Sequence, residues 1–385
     1  MSIIRKRQNF FASFFFLVIP IFLAGCASSP PMQNSHCNGC QFLYATTNSG
    51  QIRTFPVNPP GGALGAPTSI AGPANSAGLV TMAPVGVNPL FLYVSDPQDS
   101  AIHVYQVNPA DGSLSVAPLG PFSLGSGNGV PGEMVAFYSH PSGYAIYVAG
   151  STGNIVAFHV NPDGSLTAMP GSPFAAGTGL SHMVFAVSTT VGNTSFLYAA
   201  NSGDPNGSIS AFNVTSSGAL VPVPGSPFPT VAGAGPEGFF DGGRFLYLAL
   251  SNANAVAAFA IANDGSLTPL AGSPFPARRG TFSVTGVGGF LFAMNHLDGW
   301  SYSVDWTGSG SLTPVAGSPF RAVVPSGDTL YFNGSLFVPD ASSNSIVGFK
   351  ANADGSLSSV MGSPFQAGAG TVTLTSAGFP VIDPP

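Results

Sequence analysis

The sequence predicts an all-β protein, and three observations carry the prediction. Charged side chains make up 6% of the 385 residues, with Glu and Lys occurring twice each. Helices need such residues on their wet faces, so a helical fold is excluded. Fifty Gly and 36 Pro cut the chain into short runs, yet 44% of residues are apolar, which separates it from disordered chains. The runs themselves are β-branched and aromatic, as strands joined by tight turns should be.

Residues 1–25 read as a secretory signal. Arg5, Lys6 and Arg7 precede an apolar run, Phe10–Leu23, that is interrupted by Ser13 and Pro20 and is shorter than a spanning helix. The run ends in Leu23-Ala24-Gly25-Cys26, which resembles the lipobox of bacterial lipoproteins. That resemblance implies cleavage before Cys26, acylation of its thiol and, with Ala27 next, sorting to the outer membrane. Residues 26–41 form a tether containing His36-Cys37-Asn38-Gly39-Cys40. Covalent haem, a redox shuttle and a small disulfide compete for Cys37 and Cys40. Gln41 replaces the His that haem attachment needs, and no thioredoxin-like unit surrounds the pair, so a Cys37–Cys40 disulfide is favoured.

From residue 42 to 385 one phrase repeats. Phe-Leu-Tyr or a variant recurs at Phe42, Phe91, Ala145, Phe196, Phe245, Phe290 and Ser335. A second apolar stretch follows, then a turn such as Asn161-Pro162-Asp163-Gly164 or Asn263-Asp264-Gly265. Six repeats close on Gly-Ser-Pro-Phe or a relic of it, at Phe122, Phe174, Phe228, Phe275, Phe320 and Phe365, and the first ends in a degenerate form near Gly65–Ile70. Asp-Gly supplies the hairpin, because Gly accepts positive φ and Asp caps its own backbone. Pro cannot donate to a ladder and so belongs on an outermost edge strand, with the Phe wedged between neighbouring repeats. A further strand opens each unit, at Gly78–Met82, Glu133–Phe137, His182–Val187, Glu237–Phe240, Thr281–Val284, Thr329–Phe332 and Thr371–Leu374.

Fixed-period repetition of strands at this length is the mark of a β-propeller. The count gives seven blades of four strands. The first repeat lacks its first strand and Thr371–Leu374 is left over, so the C-terminal strand should complete the N-terminal blade and close the ring.

Beyond the N-terminal segment six basic residues face fifteen acidic ones, which leaves no basic surface for nucleic acid. The two Glu, Glu133 and Glu237, both open innermost strands, on either side of the repeat that contributes His182. Two carboxylates around an imidazole at a channel mouth suit a general base, a divalent metal or a water poised to attack a lactone. Arg278 and Arg279 precede the next innermost strand, where they could bind a carboxylate or a developing oxyanion. No cofactor motif is present; a divalent metal at the channel mouth is compatible with the residues. Asp96-Pro97-Gln98-Asp99 lacks the ligand count of a dedicated calcium loop. His103 and His159 fall on third strands, and Trp300 and Trp306 read as packing.

Phe-Leu-Tyr-Ala-Ala-Asn at 196–201, Asn-Pro-Asp-Gly-Ser-Leu at 161–166 and Ala-Gly-Ser-Pro-Phe at 271–275 resemble the lactonase-like seven-bladed propellers of the 6-phosphogluconolactonase type. That family carries Gly-Pro-Arg-His at the start of innermost strands. Here Gly179-Leu180-Ser181-His182 keeps the His, while Leu180 and Ser181 replace Pro and Arg. The resemblance implies a monomeric hydrolase for a lactone or related ester at the channel mouth, with a small or carbohydrate-derived ligand. The altered signature implies the alternative, a non-catalytic propeller presenting its loops to a protein or glycan. The lipobox places either one in the cell envelope, held to the membrane by its lipid.

Overall fold

The computed structural model describes residues 41–378, except 59–60, 83–89, 140–142, 189–193, 204–206, 231–237, 242–243, 296–297, 306–307, 322 and 324. The signal peptide, Cys26, Cys37, Cys40 and Glu237 lie outside the described residues. No helix occurs among the described residues, and the strands form seven antiparallel sheets. These are the blades. The innermost strands are Leu79–Met82, Pro131–Ser139, Leu180–Ser188, Gly238–Asp241, Thr281–Val287, Leu330–Phe332 and Thr371–Gly378. Each touches the next and the last touches the first, which closes them around a central channel. The ring closes as the strand count predicts: Thr371–Gly378 pairs antiparallel with Gln41–Thr47 and becomes the inner strand of blade one.

The outermost strand of a blade is broken in two. In blade four, Leu220–Pro222 and Phe228–Pro229 both pair with Ser208–Val214, and Gly225-Ser226-Pro227 forms the break. At the break the Ser226 hydroxyl accepts the Ala211 amide at 2.9 Å, so the third strand keeps a partner. Ser172, Ser273, Ser318 and Ser363 do the same in blades three, five, six and seven. This explains the serine of the repeat, which the strand pattern alone left without a role. In blade six the second fragment shrinks to a single bridge between Gly299 and Phe320.

Packing is organised between blades. Seven apolar clusters each draw on two neighbouring blades, one cluster per junction. The phenylalanines of the Gly-Ser-Pro-Phe phrase, such as Phe174, Phe228 and Phe275, lie against these clusters as wedges.

Each junction also carries a specific bond. The buried Tyr of Phe-Leu-Tyr donates its hydroxyl to the Gly carbonyl in the hairpin turn of the next blade, Asp-Gly in blades two, three and five and Ser-Gly in blades four and six. Tyr44 reaches Gly112, Tyr93 Gly164, Tyr147 Gly218, Tyr198 Gly265 and Tyr247 Gly310, at 2.6–2.9 Å. Burial pushes the phenols of Tyr44, Tyr93, Tyr147 and Tyr198 above their ordinary pKa, so they remain donors at any physiological pH. In blade six Phe292 takes the Tyr position, and its cross-strand partner Ser301 donates instead to Gly355 at 2.7 Å. In blade seven the position is Phe337, and at the junction to blade one the turn contact is Ser335 Oγ at 3.5 Å from the Gly61 carbonyl. The turn glycine is required twice over. Gly265 has φ +86°, and a Cβ there would come within 2.5 Å of the Phe196 ring of the preceding blade.

Tyr198→Phe leaves the Gly265 carbonyl buried without its donor, which should cost about 1–3 kcal/mol. The melting temperature should fall by a few degrees with the fold intact. An unchanged melting curve would mean that the junction does not depend on this bond.

Candidate functional site

The innermost strands position the candidate site through a common register. In blade three Val135 pairs with Tyr147, and in blade four Val184 pairs with Tyr198. Two residues before each stands Glu133 and His182. In blade seven Leu330 pairs with Phe337, and two residues before it stands Asp328. Counted the same way, the remaining described blades contribute Gly78, Ser283 and Thr373. The count in blade five falls on Glu237, outside the described residues. Glu133 and His182 also sit at register shifts, between Pro131 and Met134 and between Leu180 and His182. Such bulges re-aim a side chain away from strict alternation, here at the channel end of the strand.

Three of these equivalent side chains meet. His182 Nδ1 lies 3.6 Å from Glu133 Oε1 and 3.4 Å from Asp328 Oδ2. Blades three and four are neighbours, but blade seven is three steps of about 51° further round the ring. Asp328 therefore reaches His182 from across the channel, which must be narrow at this level. The other carboxylate oxygen of Glu133 accepts the Met183 amide at 2.5 Å, which fixes this side chain against the His strand. Exposures of 18%, 14% and 28% for the Glu133, His182 and Asp328 side chains leave each some contact with solvent.

Beside the cluster is a cavity of about 190 Å³, lined by Gly78, Glu133, Asp328 and Thr373 among others, from four blades. Among the described residues no basic side chain lines it. Behind His182 a second void of about 10 Å³, walled by apolar residues, is too small for a substrate. Burial dominates the acid–base behaviour of the cluster. It lowers the His182 imidazole to a pKa of about 3 and raises Asp328 to about 7. Glu133 is raised by burial and then by the charge of Asp328, against the pull of the Met183 amide. The imidazole is thus neutral at physiological pH.

The arginines are placed elsewhere. Arg278 stands in the loop between blades five and six, with Nε 3.3 Å from Asp298 and its guanidinium 5.9 Å over the Trp300 ring. Arg279 is exposed beside it, and neither lines the cavity. Asp328 is the residue that sequence reasoning missed. The signal was available in the register, as an acid two residues before the partner of the Phe-Leu-Tyr position. A second acid–imidazole group, Asp96, Asp99 and His103, lies on blade two. There Asp96 Oδ1 accepts the amides of Gln98 and Asp99, which makes it the cap of a turn.

Similar folds are known. A Bacteroides fragilis protein provisionally described as a 6-phosphogluconolactonase superposes with a TM-score of 0.69 at 21% identity, over 90% of this chain and all of that one. The periplasmic gluconolactonase of Pseudomonas aeruginosa gives 0.68 at 18% identity, over 88% and 99% of the two chains. The chain shares the fold of these lactonase-type proteins. A third structure of this lactonase-like fold, a provisional 6-phosphogluconolactonase of Bacteroides uniformis, gives 0.67 at 18% identity, over 88% and 100%. No protein-family model and no curated protein matches the sequence.

Proposed function

We propose that this lactonase-like propeller hydrolyses a small lactone in the cavity at the channel mouth. One observation carries the reading. Equivalent residues of three blades, Glu133, His182 and Asp328, converge on one space beside a cavity of about 190 Å³. Pockets for drug-sized ligands run to about 300–1,000 Å³, so this one suits a single small ring. The cluster faces the space that an attacking water must occupy. Water oxygen adds to the lactone carbonyl carbon, its proton passes to the cluster, and the ring C–O bond breaks. The departing oxygen takes up a proton and leaves as a hydroxyl, so lactone plus water gives a hydroxy acid. Two carboxylates without a basic partner repel a phosphate, which points to unphosphorylated lactones. The names of the similar structures support the reaction class.

The test is proton release by the purified chain, followed by pH-stat, on unphosphorylated sugar and simple lactones. Turnover above the spontaneous rate is expected. No turnover on any of them, or full turnover by His182→Ala, would remove the reading.

The same proposal includes export with a lipid anchor on Cys26. The lipobox-like Leu23-Ala24-Gly25-Cys26 supports it. No helix among the described residues is long and apolar enough to cross a membrane. Cys26→Ser should move the protein from the membrane fraction to the soluble envelope fraction. Retention of that variant after a high-salt wash would point to another anchor.

A further inference from the structure

We infer that Glu133, His182 and Asp328 together bind one divalent first-row transition-metal ion, with an open coordination face toward the cavity. The spacing argues first. The donor atoms of the three side chains all lie within 4.8 Å of one another, with His182 Nδ1 at 3.6 and 3.4 Å from the two carboxylate oxygens. Those separations exceed the ~2.7–3.2 Å of an N–H···O hydrogen bond. They match the ~3.4 Å between two ligands bound at ~2.1 Å with tetrahedral geometry.

Satisfaction of the polar atoms argues second. His182 Nδ1 and Asp328 Oδ1 are both buried without a hydrogen-bond partner. Buried polar atoms rarely stay unpaired, and an ion between the three groups supplies what is missing. Glu133 is held by the Met183 amide through one oxygen, which leaves the other directed at His182. Anchoring of this kind orients the ligands of metal sites.

Charge argues third. Two of the three donors are carboxylates, and among the described residues no basic side chain lines the adjoining cavity. A divalent ion supplies the countercharge that two partly buried carboxylates need in order to ionise side by side. The imidazole selects a first-row transition ion over Ca²⁺ and Mg²⁺, which prefer all-oxygen shells. Three protein ligands are the complement of a site that keeps a position for water. The group on blade two is more open: one oxygen of its Asp96 takes two turn amides and its Asp99 is 61% exposed.

Ion binding does not depend on the hydrolytic reading; only the idea that the ion holds the attacking water rests on it. The test uses the full chain in detergent, with Cys37→Ser and Cys40→Ser to silence the thiols, stripped with chelator. Zn²⁺ is then titrated calorimetrically. One saturable equivalent is expected. Asp328→Asn and His182→Ala should each weaken it by more than the ~10–100-fold seen when only outer partners are lost. His103→Ala should leave it unchanged. Absence of a one-to-one isotherm in the parent chain overturns the site, whatever the variants do. So does unchanged affinity in Asp328→Asn, a near-isosteric change, with a native melting curve as the check on folding. Stripped protein that hydrolyses lactones fully while binding no Zn²⁺ refutes the ion and keeps the hydrolase. Stoichiometric binding without turnover does the reverse.

Discussion

Deleting residues 368–385 should leave a protein that no longer folds. The deletion removes the inner strand of blade one, which pairs with Gln41–Thr47 at six register positions. At ~1 kcal/mol net per lost ladder bond, the backbone term alone rivals the ~5–15 kcal/mol by which domains are stable. Leu374, buried in the core between blades one and seven, is lost as well. The hydroxyl of Ser326, which reaches the Thr371 carbonyl at 2.7 Å, loses its acceptor. What remains is an open sheet edge carrying Phe42, Leu43 and Tyr44, all buried in the intact ring. Such an edge pairs with other chains, so aggregation is the expected form of failure. A soluble truncation that melts cooperatively, seen by gel filtration and calorimetry, would show that closure is dispensable.

At the channel mouth, His182→Ala, Asp328→Asn and Glu133→Gln should each lower lactone kcat/KM by about 10²–10⁴-fold, the range for groups that activate a nucleophile or move its proton. The three losses should not add, because residues acting as one unit fail together. His103→Ala on blade two should leave the rate unchanged. Arg278→Ala should change it little, since Arg278 is engaged by Asp298 and Trp300 of blade six. An Asp328→Asn enzyme with the parent rate would take the cross-channel carboxylate out of the chemistry.

The fold was legible because each blade repeats its punctuation. Asp-Gly marks one hairpin, Gly-Ser-Pro-Phe the broken edge, and the unmatched first and last repeats the closure. The tyrosine bonds were not legible, since their acceptors lie 63–71 residues away and are backbone atoms. Glu133 and His182 stood out because Glu is so scarce and both residues open a strand. Asp328 did not stand out, because most Asp residues of the chain punctuate turns and nothing local separates it from them. Its meeting with His182 depends on how far the ring curves between blades four and seven. Arg278 shows the opposite failure: sequence placed it before an innermost strand, but could not show the Asp298 loop that holds it.

The junction between blades seven and one gives the ring a direction in which to open. The other six junctions each have a hydroxyl on the next blade's turn at 2.6–2.9 Å; here the turn contact is 3.5 Å, and the 2.7 Å bond runs instead from Ser326 to the Thr371 carbonyl of the inner strand. Local opening follows the least costly route, so fluctuations should concentrate there. Amide exchange should accordingly run faster in Leu330–Phe332 than in the matching strand of blade four, and equal protection would refute it. Blade seven also carries Asp328. Breathing at this seam would draw Asp328 away from His182 and Glu133, which belong to a firmly stapled pair of blades. A joint loosened at its turn would then act as a gate, so that how often the ring parts there governs how readily the channel mouth loads and empties.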